Sequence, residues 1–185
     1  MTKPILKYVL IGVLGSLVLV SILPQPDHKV LNMSRVTPHV LESNALFFKN
    51  LRQYYYDKME DEKSGYTIFS HPDQKKLNAL TPKFRIVDNW RHDEAYILMD
   101  IDESLRNGAE MVMKTPSDEF RYSINNMTSA KSLELAVCLY DALRQDSVMF
   151  FIEQNEHRVA IWSSPEERSV LKTILKDYFK LIGAL

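Results

Sequence analysis

Residues 95–115 read Ala-Tyr-Ile-Leu-Met-Asp-Ile-Asp-Glu-Ser-Leu-Arg-Asn-Gly-Ala-Glu-Met-Val-Met-Lys-Thr, and the pairing of this run decides the fold. Apolar residues alternate with polar ones on both sides of Asn107-Gly108, a dipeptide that reverses antiparallel strands. A two-residue turn would set Ile101 opposite Lys114 and mix the faces. A three-residue loop, Arg106-Asn107-Gly108, sets Leu105 opposite Ala109 and Ile101 opposite Met113. One face then carries Met99, Ile101, Leu105, Ala109, Met111 and Met113, while the other sets Asp100 beside Lys114 as an opposite-charge pair. The expectation is a hairpin of 95–105 with 109–115, with Gly108 at positive φ.

Outward from this hairpin, residues 66–70, 84–87 and 120–124 have the β-branched and aromatic content of short strands. Residues 128–146 read as a helix capped by Thr128, with Leu133, Ala136, Val137, Tyr140 and Leu143 on one face. A second hairpin joins 148–153 to 158–163 around Asn155-Glu156, and its two-residue loop puts Glu153 opposite Arg158. Ser164, Pro165 and Glu167 supply the cap, first position and capping-box acid of a last helix. Its apolar stripe is Val170, Leu171, Ile174, Leu175, Tyr178 and Ile182. Residues 40–61 are ambiguous: Val40, Asn44, Phe47, Leu51 and Tyr55 fit a helical face, whereas Phe47, Phe48 and Tyr54-Tyr55-Tyr56 favour a strand. Strands grouped ahead of helices and joined by hairpins predict the α+β class, a mainly antiparallel sheet with helices packed on one face.

The chain has 185 residues, 45% hydrophobic and 25% charged, which leaves room for one domain after an apolar start. Lys and Arg total 23 against 24 Asp and Glu, so there is no basic excess with which to neutralise phosphates, and nucleic acid is excluded as a partner. The single cysteine, Cys138, rules out an intrachain disulfide and a thiolate zinc cluster. Residues 8–23, YVLIGVLGSLVLVSIL, carry no charge. With Ile5, Leu6 and a snorkelling Lys7 the run is about long enough to cross a bilayer, and Pro24 and Pro26 end it. The expectation is a single-pass transmembrane signal-anchor in contact with lipid through residues 5–23. A cleaved signal peptide is the rival reading, although residues 20–24 contain no small-x-small pair. Lys3 and Lys7 before the run, against Lys29 and Arg35 after it, place the N-terminus in the cytoplasm and the domain outside. The organisation expected is a cytoplasmic tip and anchor over 1–26, a linker over 27–36, and a single soluble α+β domain over 37–185.

The apolar strand ending in Asp100-Ile-Asp102-Glu-Ser104 resembles the first motif of the haloacid dehalogenase superfamily of phosphatases. The resemblance implies Asp100 as nucleophile, Asp102 as acid and base, and Mg²⁺ between carboxylates and phosphate. Val159-Ala-Ile-Trp-Ser163 looks like the second motif, which implies Ser163 as a phosphate-binding hydroxyl. That family also uses a later basic residue, a second acidic pair and a parallel sheet. After Ser163 the acidic residues are Glu166, Glu167 and Asp177, all within the expected last helix. Without the resemblance, Asp100 and Asp102 read as solvent-facing strand carboxylates. A second polar concentration is Trp90-Arg91-His92-Asp93-Glu94. Trp90, Arg91 and His92 are candidate binding residues, because a carboxylate beside a His tunes a general base; a charged loop tip is the other reading. His28, His39, His71 and His157 lack metal-ligand spacing, and there is no nucleophile elbow, phosphate loop or dinucleotide fingerprint. No metal or cofactor is expected on the leading reading, a single-pass membrane-anchored protein presenting an α+β domain to a protein or ligand. The alternative is a membrane-bound, metal-dependent phosphatase using Asp100 and Asp102.

Overall fold

Alternation along residues 83–100 builds the first sheet. The computed structural model describes residue 31 and residues 36–106, 108–145 and 147–185. Strands β1 (Asp57–Asp61), β2 (Tyr66–Ser70), β3 (Lys83–Asn89) and β4 (Glu94–Asp100) follow one another as an antiparallel meander in the order β1-β2-β3-β4. Phe69, Phe84, Ile86, Ala95, Ile97 and Met99 are buried on its inner face. A second four-stranded antiparallel sheet contains β5 (Glu110–Lys114), β6 (Glu119–Ser123), β7 (Met149–Gln154) and β8 (His157–Ile161), in the order β6-β5-β7-β8. Three α-helices complete the described fold: α1 (Glu42–Phe47), α2 (Ser129–Ala142) and α3 (Pro165–Leu181).

The class is α+β as expected, but the architecture is two sheets rather than one, and the hairpin around Asn107-Gly108 does not form. Among the strands β4 pairs with β3, its other edge carrying one bridge from Glu94 to His39, and β5 pairs with β6 and β7. After Asp100 the chain leaves the first sheet. Asp102 caps a 3-10 turn, Glu103–Leu105, by accepting from the Ser104 amide at 2.9 Å and the Ser104 hydroxyl at 2.6 Å. This local competition for the backbone ends the strand. Asp100 stands opposite Lys83 and forms its ion pair with Arg85, while Lys114 stands opposite Glu119 and Met149. Gly108 does have positive φ, at 77°. The face assignment also survives: Met99, Leu105, Ala109, Met111 and Met113 are buried and Ile101 packs against them.

The second hairpin forms in the expected register. Glu153 faces Arg158 across β7 and β8 and accepts from it at 2.6 Å. Asn155 and Glu156 have φ of 50° and 66°, as a twist-matched two-residue turn requires. Ser164 and Glu167 make the reciprocal capping box at the start of α3, and Thr128 caps α2 by accepting from the Lys131 amide.

One continuous core joins the layers. Trp162, just after β8, lies 6.2 Å from Phe84 of β3 and 5.6 Å from Phe150 of β7, so a single side chain touches both sheets. Tyr140 of α2 meets Phe179 of α3 at 5.4 Å, and the Tyr178 hydroxyl donates to the Ala95 carbonyl at 3.4 Å. The outer face of the second sheet is solvated and carries a carboxylate–guanidinium lattice. Arg121 contacts Glu110, Glu119 and Glu153, and Arg158 contacts Glu119 and Glu153.

The ambiguous stretch 40–61 holds both signals in succession. α1 widens into a π turn, Phe48–Arg52, tightens into a 3-10 turn, Gln53–Tyr55, and gives way to β1. Phe48 is the buried anchor, 5.0 Å from Phe69 and 5.9 Å from Tyr56. Asp177 of α3 then fixes the segment from behind. It accepts from Arg52 Nε and Nη2 at 2.8 Å each and from the Tyr56 hydroxyl at 2.8 Å. The expected anchor over residues 5–23 lies outside the described residues, and among the described residues no helix is long and apolar enough to cross a membrane. The compact unit runs from Leu31 to Leu185.

Candidate binding groove

The π turn, β1 and the turns at one end of the first sheet enclose an open groove of about 670 Å³. Strand register builds its floor. Glu60 of β1, Thr67 of β2 and Asp88 of β3 are direct cross-strand neighbours and so project from the same face. Lys58 and Phe69 form the next row. Lys49 and Gln53 reach in from the helical side, and Glu62 and Trp90 stand at the rim. A π turn re-aims the side chains that follow it, which is why such turns recur at functional sites; here it presents Lys49 to the groove while Phe48 stays in the core.

Asp88 is the unusual group. Its side chain is buried, and the Lys49 Nζ stands 3.6 Å from one carboxylate oxygen. Burial pushes the Asp88 carboxyl above the usual carboxylate range, and the Lys49 ammonium draws it partly back. Next to it, the buried Asn89 Oδ1 has no hydrogen-bond partner among the described residues. Lys58 pairs with Glu60. The groove therefore offers three carboxylates, two ammonium groups, one amide and an indole that is 48% exposed. That set suits a polar ligand of mixed charge, with the indole as a stacking face.

Two turns hold the rim. Asp61 accepts from the Lys63 and Ser64 amides at 3.1 and 3.2 Å, and its bonds with Ser64 hold its carboxyl below the usual range. Gly65 follows with φ of 77°. The Arg91 side chain lies against Gly65, where a Cβ would come within 2.5 Å of it. Arg91 donates to the Glu62 carbonyl at 2.8 Å, and its guanidinium lies 5.3 Å from the Trp90 ring centroid. Arg91 thus clasps the 62–65 turn to the 90–93 turn and sets the indole.

Of the residues singled out from sequence, Trp90 lines the groove, Arg91 clasps its rim, and His92 is exposed on the turn, its amide donating to the Asn89 carbonyl at 3.1 Å. Asp100 lines a different concavity of about 270 Å³ with Arg106 and Asn126, and Asp102 is occupied as a turn cap. Ser163 lies elsewhere, in a depression of about 480 Å³ with Arg168 and Lys172. The structure does not bring Ser163 together with the two aspartates. Both described sheets are antiparallel, unlike the parallel core that the phosphatase resemblance implies. Among the described residues, no group of three or more His, Cys, Asp or Glu side chains is placed to hold a metal ion.

Sequence reading missed Asp88, Lys49, Gln53, Glu60, Glu62 and Thr67. One signal was available for Asp88. It follows Phe84 and Ile86 at two-residue spacing, so alternation puts a carboxylate on the buried face of an otherwise apolar strand. No family model, no curated protein and no solved structure matches this chain.

Proposed function

We propose that this chain is a single-pass membrane-anchored protein whose α+β domain, held on the extracytoplasmic side, binds a partner through the groove above Asp88. One observation carries the choice of surface: a buried carboxylate at the floor of an open, mixed-charge groove with a half-exposed indole at its rim. Desolvating a carboxylate costs stability unless it is well paired. The Lys49 contact compensates it only in part, so a ligand cation or donor entering the groove gains more there than at an exposed acid. The apolar run at residues 8–23 supports the tether.

The test is affinity capture from native membranes with the full chain, a C-terminal tag and mild detergent, beside the variants Trp90→Ala and Glu60→Gln. A stoichiometric partner retained by the wild type and weakened about tenfold or more by Trp90→Ala is the expected result. A partner indifferent to both substitutions, or none at any stringency, overturns the groove as the binding surface. A Mg²⁺-dependent phosphatase activity of the full chain, abolished by Asp100→Asn and by Asp102→Asn, would replace the binding reading with the enzymatic one.

A further inference from the structure

The depression of about 480 Å³ opens where the end of α2, the start of β7 and the first turns of α3 meet. Its lining divides by chemistry. Leu143, Phe150 and Pro165 supply apolar surface, and Arg168, Ser169 and Lys172 supply a polar side. Among the described residues no carboxylate lines it. Arg168 and Lys172 stand four residues apart on α3, so their side chains are neighbours on one helical face. Like charges at that spacing repel one another, and neither residue forms an ion pair among the described residues.

Arg168 differs from most other described arginines. Arg52, Arg85, Arg106, Arg121, Arg144 and Arg158 each pair with a carboxylate. Arg91, which donates to the Glu62 carbonyl, shares the lack of one. Arg168 is held by two uncharged, buried residues. Its Nε donates to the Trp162 carbonyl at 2.9 Å, and its guanidinium lies 5.7 Å from the Phe150 ring centroid. That carbonyl belongs to a residue with φ of 44°, a backbone conformation unusual for a bulky side chain. The two contacts fix the guanidinium and leave both of its Nη groups without a hydrogen-bond partner among the described residues. A fork set in place before binding loses little freedom when an anion arrives.

We propose that this depression binds a small organic acid, a carboxylate carried on an apolar body such as an aryl ring or a short alkyl chain. The carboxylate accepts from the Nη pair of Arg168, whose planar fork matches two oxygens. Lys172 adds charge and the Ser169 hydroxyl a further donor. The apolar body covers Leu143, Phe150 and Pro165. A bare inorganic anion would pair the cations and leave the apolar wall uncovered. A neutral apolar molecule would cover the wall and leave the cations unpaired. The two halves together select an acid that has both parts. The site is separate from the groove above Asp88 and does not depend on it.

The experiment follows a fluorinated phenylpropionate by fluorine NMR line broadening with the full chain in mild detergent, against a detergent blank. The expected result is saturable broadening above the blank that the corresponding neutral amide does not reproduce and that inorganic phosphate does not reverse. Lys172→Gln should weaken binding several-fold and Arg168→Gln about tenfold or more. Lys131→Gln, an exposed change at the opposite end of α2, should leave it unchanged. Arg168 also holds the Trp162 carbonyl, so the denaturant midpoint of each variant is measured beside its affinity. Should Arg168→Gln unfold the chain, the exposed change Lys172→Gln and the amide still decide. No saturable broadening, an amide that binds as tightly as the acid, or affinity unchanged by Lys172→Gln and Arg168→Gln overturns the site. Displacement by inorganic phosphate at concentrations equal to the acid would make the depression a general anion site and overturn the assignment to organic acids.

Discussion

Asp177 shows how much one side chain can organise. It is buried in α3, yet it is the acceptor for both the Arg52 fork and the Tyr56 hydroxyl, and so ties residues 52–56 to the far end of the chain. Asp177→Ala leaves a guanidinium and a phenol unsatisfied, and the expected loss is about 3–5 kcal/mol, read as a lower denaturant midpoint for the full chain in detergent. A loss under about 1 kcal/mol would mean that water replaces the carboxylate without cost. Asp88 makes a prediction of opposite sign. Burial raises its carboxyl, so the folded chain keeps a proton that the unfolded chain has released. Stability therefore falls as pH rises from the ordinary carboxylate range through the raised value. Asp88→Asn removes this contribution, and the difference in midpoint between variant and wild type should grow in favour of the variant as pH rises above the ordinary carboxylate range. Parallel curves would show that Lys49 fully compensates the buried charge. The contrast also explains what was legible. Asp100 and Asp102 attract notice because they stand in a recognisable string, while Asp88 has only its alternation, and alternation says which face a residue takes without saying that a groove opens there.

Elements repeat that lesson at larger size. Caps and tight turns are local chemistry, so Ser164-Pro165-Glu167 and the Asn155-Glu156 turn were readable to the residue. Ser164→Ala should cost about 1 kcal/mol and be seen as faster amide exchange in the first turn of α3. Gly65→Ala tests the rim clasp. A side chain at φ of 77° is strained, and the new Cβ collides with Arg91. A loss of about 1–2 kcal/mol is expected, together with changed Trp90 emission; unchanged emission would detach the indole from the clasp. Strand partnership, by contrast, is not local. The alternation in 95–115 is satisfied equally by a hairpin and by two strands in separate sheets that face one core. What separates the two is the Asp102–Ser104 turn, whose side-chain bonds compete with the ladder. The π turn was illegible for a related reason: it is held by Phe48, Asp177 and their tertiary partners, not by the propensities of residues 48–52.

For the whole molecule, an aromatic contact links the two sheets within the common core. Trp162 bridges Phe84 and Phe150 from a backbone φ of 44°, and Arg168 donates to its carbonyl at 2.9 Å. Trp162→Ala should cost about 3–5 kcal/mol and split one unfolding transition into two, measured by amide exchange in β3 against β7. A single transition of unchanged cooperativity would place the coupling in the helices instead. The same residue has a spectroscopic consequence. The chain contains two tryptophans, one sealed between the sheets at 1% exposure and the other open at the groove rim. Emission from Trp162 should follow whether the domain is intact, and emission from Trp90 should respond if the proposed ligand enters the groove. Water-soluble quenchers reach only the second. With Trp90→Phe and Trp162→Phe to assign the signals, the unlabelled protein carries separate optical channels for folding and for binding.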